Sequence, residues 1–339
     1  MTKKPPLFIS GVYRSGTTLP VKILNSHPEI GITHDSVNFF RYYIKYAATI
    51  DSDYKLVVKD CASRLQDRFN ISVPQEKIIN SIELEDDISF SIVYENLMRA
   101  TFCNHREDLI WGEKSLLQWS NIPLFLQMYE DAKALIILRD PRNVLASFRD
   151  FTIEPGAKYL DSIFACLNAL NWSNSVGRAL DPNRFRIVYF EDIVKDPTAW
   201  AKEMCQFLGL EFYSAMTDIS NFEDHEGKKW SPNTSYGDLS GKISSNPIDR
   251  WKKKLSPTEV CFAESILGEA MQQHGYELSD IKVDAKELNQ LLQLIGETDL
   301  IQNRLAHWFE TGNGVESHPS DPTNPTNWSK SMLPKDKVD

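Results

Sequence analysis

The sequence predicts an α/β fold in which a P-loop-like parallel sheet is flanked by helices, with a helical insertion and a C-terminal helical extension. Three observations predict it. Short apolar runs of strand length alternate with longer stretches of helical periodicity along most of the 339 residues. The first run, Leu7-Phe-Ile-Ser-Gly11, leads into Val-Tyr-Arg14-Ser15-Gly16-Thr17-Thr18-Leu19: a Gly, four residues and a second Gly before hydroxyl residues that open a helix. A later run, Ala134-Leu-Ile-Ile-Leu138, passes straight into Arg139-Asp140-Pro141, a sound helix start with Pro near the first helical position.

Taken in order, the first strand covers about Leu7–Gly11, and a helix follows from Thr18 to about Ser26. Residues 36–108 form a long insertion, expected to be helical, between the first and second strands. The second strand is Leu109–Lys114, with a helical stretch over 123–130, and the third is Ala134–Leu138. Residues 157–179 read as helix because Leu160, Ile163, Phe164, Leu167 and Leu170 recur at helical spacing. Phe185–Phe190 is a further strand, and 196–208 a helix closed by Gly209. The polar stretch 221–247, rich in Gly, Ser, Pro and Asn, predicts a long loop. Residues 285–310 read as one or two amphipathic helices, and 311–339 as a polar, loosely draped tail. The resulting division is a core domain at 1–280, a helical extension at 281–310 and the tail at 311–339, with no internal repeat.

Composition excludes several classes. Hydrophobic content of 42% and charged content of 25% are ordinary for a soluble globular protein. Cys61, Cys103, Cys166, Cys205 and Cys261 are widely scattered with no CxxC pair, so neither a zinc site nor a disulfide framework is suggested. Met1-Thr-Lys-Lys-Pro-Pro has no apolar signal region, and no stretch approaches the ~20 apolar residues that span a bilayer. A cytoplasmic protein with no membrane partner is expected, and the Asn-X-Ser/Thr triplets at Asn70, Asn171, Asn233 and Asn327 are read as chance. A net charge of −10 argues against nucleic acid or a heparin-like polyanion as partner. The oligomeric state is left open.

The chemistry begins at the first loop. A strand, a Gly-bounded turn and a helix start make a nest of backbone N–H groups at a positive helix end, which suits a phosphate. A Walker A loop has Lys after its second Gly, then Ser/Thr for Mg²⁺. Here Thr17 and Thr18 follow Gly16, and the cation sits inside the loop as Arg14. The loop can grip a phosphate but lacks the usual means of handling a γ-phosphate with its metal. At the third strand, Arg139 offers a guanidinium fork suited to phosphate, and Ser147, about two turns along the next helix, adds a hydroxyl donor.

These two motifs resemble those of the PAPS-dependent sulfotransferases, in particular the soluble, bacterial-type branch with Arg-Ser-Gly-Thr-Thr where the cytosolic aryl and steroid enzymes have Lys-Ser-Gly-Thr-Thr. The likeness covers about residues 5–280. It implies a sulfotransferase fold in which Arg14, Ser15, Gly16, Thr17 and Thr18 hold the 5′-phosphosulfate while Arg139 and Ser147, at the family's spacing, hold the 3′-phosphate. Where related enzymes place His-Pro and then a carboxylate general base, this chain has His27-Pro28 and then His34-Asp35. Asp35 falls on the base position, although the branch usually carries Glu, and His34 is the alternative, as histidine serves the cytosolic branch from another place in the chain. Asp35 as a cap for a helix beginning near Ser36 is the structural reading. The resemblance further implies Lys114 as a cation near the reacting groups, Tyr189 near the adenosine, and Arg250 with Ser244 in a late loop over the nucleotide; Ser245 and Lys252 are further candidates there.

PAPS is then the cosubstrate and 3′,5′-ADP the product, with no metal. The expected acceptor is a small molecule with a hydroxyl or amine, neutral or cationic, such as a microbial secondary metabolite; carbohydrate and protein tyrosine are the alternative acceptors. A P-loop nucleotide kinase or NTPase and a non-catalytic nucleotide-binding protein are the rival classes. The missing lysine and the Arg139–Ser147 pair oppose the first, and the candidate base opposes the second. Phe39-Phe-Arg-Tyr-Tyr43 reads equally as an aromatic pocket wall or as helix core.

Overall fold

Among the described residues of the computed structural model (4–103, 106–151, 156–222, 243 and 248–316), five strands form one sheet. They are β1 (Leu7–Gly11), β2 (Ile30–His34), β3 (Ile110–Lys114), β4 (Lys133–Leu138) and β5 (Phe185–Tyr189). Every pairing is parallel and the order is β2-β3-β1-β4-β5. The helices are α1 (Thr18–Asn25), α2 (Phe39–Tyr43), α3 (Ile50–Phe69), α4 (Gln75–Ile82), α5 (Phe90–Phe102), α6 (Ile122–Met128), α7 (Pro141–Phe151) and α8 (Asp161–Ser175). After β5 come α9 (Phe190–Lys195), α10 (Pro197–Leu208), α11 (Trp251–Lys254), α12 (Pro257–Gln273), α13 (Ala285–Gly296) and α14 (Asp299–Thr311).

The central strands are buried on both faces, as a parallel sheet between helical layers requires. Successive side chains alternate between the two layers: Phe8, Trp111, Ala134, Ile136 and Leu138 join one core, and Leu7, Ile9, Ile110, Leu135 and Ile137 the other. The expected caps are present. Asp196 accepts the Ala199 N–H at 2.9 Å to start α10, and Gly209, at φ 68°, ends it in the left-handed region.

One expectation is corrected. The insertion does not join the first strand to Leu109–Lys114, because β2 lies between them at the sheet edge, and the helical segment α2–α5 links the second strand to the third. Ile30 and Ile32, separated by Gly31, are the only large apolar side chains of β2, too short an alternation to announce a strand. The C-terminal helices pack on the rest of the chain. Arg304 Nε donates to Asp161 Oδ1 at 2.6 Å, and the Ala157 N–H donates to Thr298 Oγ1 at 3.2 Å.

The chain leaves β1 toward the β2 edge and leaves β4 toward β5, so a crevice opens beyond the carboxyl ends of β1 and β4. That is the usual binding position in open α/β sheets.

Candidate active site

The loop from Val12 to Thr17 fills the head of this crevice. Gly16 has φ 88°, and a Cβ there would collide with the ring of Phe190, so the position requires glycine on two counts. Arg14 also lies in the left-handed region at φ 67°, where a non-glycine residue is uncommon. Its backbone is held from across the crevice: Arg139 Nη1 donates to the Arg14 carbonyl at 3.0 Å. Its side chain turns the same way, with Nε donating to Ser147 Oγ at 3.0 Å. The two motifs, read separately in the sequence, therefore form one cluster. Arg139 is only 4% exposed, and its guanidinium carbon stacks 4.6 Å from the centre of the Phe190 ring. Ser15 Oγ is buried with no hydrogen-bond partner among the described residues, and no side chain caps the N-terminus of α1. A buried hydroxyl, uncapped helix N–H groups and two arginines are a donor set suited to phosphate oxygens.

The second flank is built at the carboxyl ends of β2 and β3, where the backbones of His34 and Lys114 are in register and the Asp35 N–H donates to the Lys114 carbonyl at 3.0 Å. The Asp35 carboxylate forms an ion pair with Lys114 Nζ. Lys114 is 3% exposed, while the Asp35 side chain is 36% exposed. Asp35 is not a helix cap: α2 starts at Phe39 and its N-cap residue is Asn38. The His34 side chain lies outside the described residues.

The end of β3 and the residue after it hold the loop of the candidate base with three consecutive residues. Lys114 takes the Asp35 carboxylate, Ser115 Oγ donates to Asn38 Oδ1 at 2.7 Å, and Glu113 accepts the Phe39 N–H at 3.4 Å. Asn38 Nδ2 in turn donates to the Asp35 carbonyl at 2.7 Å, and both residues occupy the left-handed region, at φ 48° and 47°. Glu113 is fully buried and also accepts from the Tyr94 hydroxyl. Burial pushes its carboxyl up to about 7, against the pull of these hydrogen bonds. Glu113, Ser115 and Asn38 were missed as functional positions by sequence reasoning. Only the adjacency of Glu113 and Ser115 to Lys114 could have signalled them. Phe39, Phe40 and Tyr43 are core residues, with Phe39 stacked on Tyr94 at 4.1 Å, whereas Arg41 and Tyr42 remain partly exposed.

Tyr189, at the end of β5 and in register with Leu138, has its hydroxyl 2.9 Å from His274 Nδ1. Arg250 Nη2 donates to Asp150 Oδ2 at 2.8 Å, on the same helix as Ser147 and one turn beyond it. Ser244 and Ser245 lie outside the described residues, and Lys252 pairs with Asp249 at 2.8 Å. Among the described residues, no group of three or more His, Cys, Asp or Glu is placed to hold a metal ion, and no helix is long and apolar enough to cross a membrane.

Comparison with known proteins places these residues in context. The sequence profile of the Sulfotransferase family matches residues 5–214. Carbohydrate sulfotransferase 1 of Danio rerio is 24% identical over 174 residues, 46% of this chain and 41% of that protein. Its Homo sapiens counterpart is 25% identical over 192 residues, 49% of this chain and 44% of that protein. The matches thus span less than half the length of these curated relatives. Among solved structures, the sulfotransferase domain from the Synechococcus PCC 7002 olefin synthase superposes with a TM-score of 0.52 at 19% identity, covering 82% of this chain and 97% of that one. The sulfotransferase domain from the curacin biosynthetic pathway gives 0.50 at 17% identity, covering 82% and 100%. The structural likeness is one of fold.

Proposed function

Because this chain belongs to the sulfotransferase family, we propose that it transfers a sulfuryl group from PAPS to a hydroxyl or amine of a small-molecule acceptor and releases 3′,5′-ADP. The observation that carries the reading is the joining of two phosphate motifs through Arg14, Arg139 and Ser147, beside the ion pair of a candidate base with a buried lysine. PAPS supplies the sulfuryl group; the bond between its sulfur and the 5′-phosphate oxygen breaks, the sulfuryl group passes directly to the acceptor, and 3′,5′-ADP is the leaving group. The residues of the chain bind, orient and move a proton. Arg14, Ser15 and the N–H groups from Gly16 to Thr18 bind the 5′-phosphosulfate end, while Arg139 and Ser147 bind the 3′-phosphate, with Arg250 and Tyr189 around the nucleoside. Asp35 Oδ accepts the acceptor's proton as the new S–O or S–N bond forms and the bond to the leaving phosphate breaks. Lys114 orients Asp35 and supplies positive charge where the leaving group gains negative charge. His34 is the alternative base.

The acceptor is assigned to small molecules, including microbial secondary metabolites; the carbohydrate relatives keep a sugar hydroxyl as the second choice. A cytoplasmic location is supported by five free cysteines, four of them buried, as a reducing compartment allows. The division at 280 assigns nucleotide and acceptor binding to 1–280. Calorimetric titration with 3′,5′-ADP and with ATP·Mg²⁺ tests the function. Binding of the first alone is expected; preference for ATP·Mg²⁺ would make the chain a kinase or NTPase instead.

A further inference from the structure

The basic turn Arg250-Trp-Lys-Lys-Lys254 is fastened to α7, the helix that bears Ser147. Asn143 of α7 is fully buried; its Oδ1 accepts the Trp251 N–H at 3.1 Å, and its Nδ2 donates to the Ile248 carbonyl. The Arg142 guanidinium carbon lies 4.1 Å from the centre of the Trp251 ring, and Arg142 is itself paired with Asp140 and Glu264, each at 2.7 Å. The backbone on both sides of Arg250 is thus held by buried groups, so a change in a surface side chain leaves the turn in place. The tip of Arg250 meets Asp150. Arg250 Nη2 donates to Asp150 Oδ2 at 2.8 Å, and Lys254 Nζ lies 3.3 Å from the same oxygen. Asp150 stands one turn beyond Ser147 on α7, at a spacing that makes side chains neighbours. A carboxylate therefore sits beside the hydroxyl assigned to the 3′-phosphate, and it engages two cations of the turn.

A phosphate monoester near neutral pH carries roughly −1.5 to −2 charges and three acceptor oxygens, against a single charge on a carboxylate. The Arg250 and Asp150 side chains are partly exposed, at 27% and 34%, and ion pairs at such positions are weak. A 3′-phosphate at Ser147 draws the two cations more strongly than Asp150 holds them, but it must displace that hold and sit beside a like charge. We infer that Asp150 is a built-in competitor of the 3′-phosphate: it holds Arg250 and Lys254, yields them as nucleotide seats, and limits how tightly the nucleotide is kept. The inference rests on the sulfotransferase reading. Within it, Lys254 becomes a phosphate-binding cation and Asp150 the residue that sets affinity. PAPS and 3′,5′-ADP share the 3′-phosphate, so both are loosened alike. The benefit falls on release of 3′,5′-ADP, since product release limits turnover in many enzymes.

The test is calorimetric titration of the full chain and its variants with 3′,5′-ADP and with 5′-AMP. A carboxylate that only supported Arg250 would strengthen nucleotide binding, so the sign of the effect separates the two roles. Asp150→Asn should tighten 3′,5′-ADP by about tenfold, the scale of one like-charge contact removed at a partly exposed site, and change 5′-AMP by less than about twofold. Asp150→Ala should give the same gain, so the outcome does not hang on the folding of one variant. Asp150→Glu keeps the charge and should stay near the unmodified chain. Raising the ionic strength should shrink the gain, because these charges are open to solvent. In an Arg250→Gln, Lys254→Gln background the gain from Asp150→Asn should fall to a few-fold at most, since only the repulsion is left to remove. Unchanged or weaker 3′,5′-ADP binding by Asp150→Asn overturns the inference and makes Asp150 a support for Arg250. An equal gain for 5′-AMP, or a gain undiminished without the two cations, overturns it as well. Failure of the unmodified chain to bind 3′,5′-ADP would strike the sulfotransferase reading itself, and this inference with it; that titration is performed first.

Discussion

On the β4 side of β1, Arg14, Arg139 and Ser147 meet because two strands lie side by side and each runs into its own helix. On the β3 side, the base loop is held by residues distant in sequence: Ser115 reaches Asn38 across 77 positions and Glu113 reaches Phe39 across 74. In the proposed function the first flank recognises a phosphate, whose requirements are local: N–H groups, a glycine turn and a cation. The second is proposed to recognise the acceptor, and its shape depends on how α2–α5 are folded against the sheet. A donor site can therefore be kept by short motifs while the acceptor wall changes with a helical insertion.

Asp35 offers the largest effect and the most direct way to break this contrast. Asp35→Asn should lower turnover by roughly 10²–10⁴, the scale of general-base loss, and His34→Asn should cost less. Turnover of both variants decides it, with thermal melts as control. The reverse ranking moves the base to His34, and small equal losses would remove the base from this loop.

Glu113 sharpens the same contrast through stability. Its carboxyl is raised from 4.5 to about 7 in the folded chain, so the folded state binds more protons across that interval. The stability this contributes is complete below about pH 4.5 and is lost as pH rises through about 7, a swing of roughly 3 kcal/mol. Glu113→Gln should flatten the fall in melting temperature between pH 5 and pH 8. An unchanged slope would mean that Glu113 does not titrate in this range.

The smallest effects belong to the donor flank. Arg139→Ala should weaken 3′,5′-ADP roughly tenfold and Ser147→Ala a few-fold, with 5′-AMP nearly untouched, since it lacks the 3′-phosphate. Equal losses for both nucleotides in a binding titration would take these residues off the 3′-phosphate.

Legibility in the sequence follows the same division. Gly11, Gly16 and the hydroxyl pair Thr17-Thr18 are readable because a tight turn into a helix leaves few choices of residue. Strand β4 is readable because burial on both faces demands an unbroken apolar run. β2 is not, since an edge strand with two isoleucines buries too little to leave a pattern. Asp35 could be placed by counting along the chain, but its ion pair with Lys114 exists only once β2 and β3 are in register. The meeting of Arg64, on α3, with the Tyr42 ring, on α2, depends on the angle between two helices, which no local spacing records.

Phe190 has a consequence for how the molecule is made. Its ring lies against Gly16 and beneath Arg139, so the crevice beyond β1 and β4 is walled by a residue that follows β5. During synthesis the wall of the phosphate loop arrives some 170 residues after the loop itself, on the order of ten seconds or more at ordinary elongation rates. Until then the loop lacks the ring that lies against Gly16 and that Arg139 rests on. On the proposed function, a nascent chain is thus unable to sequester nucleotide over that interval, and cosubstrate can favour the folded state only after β5 has docked.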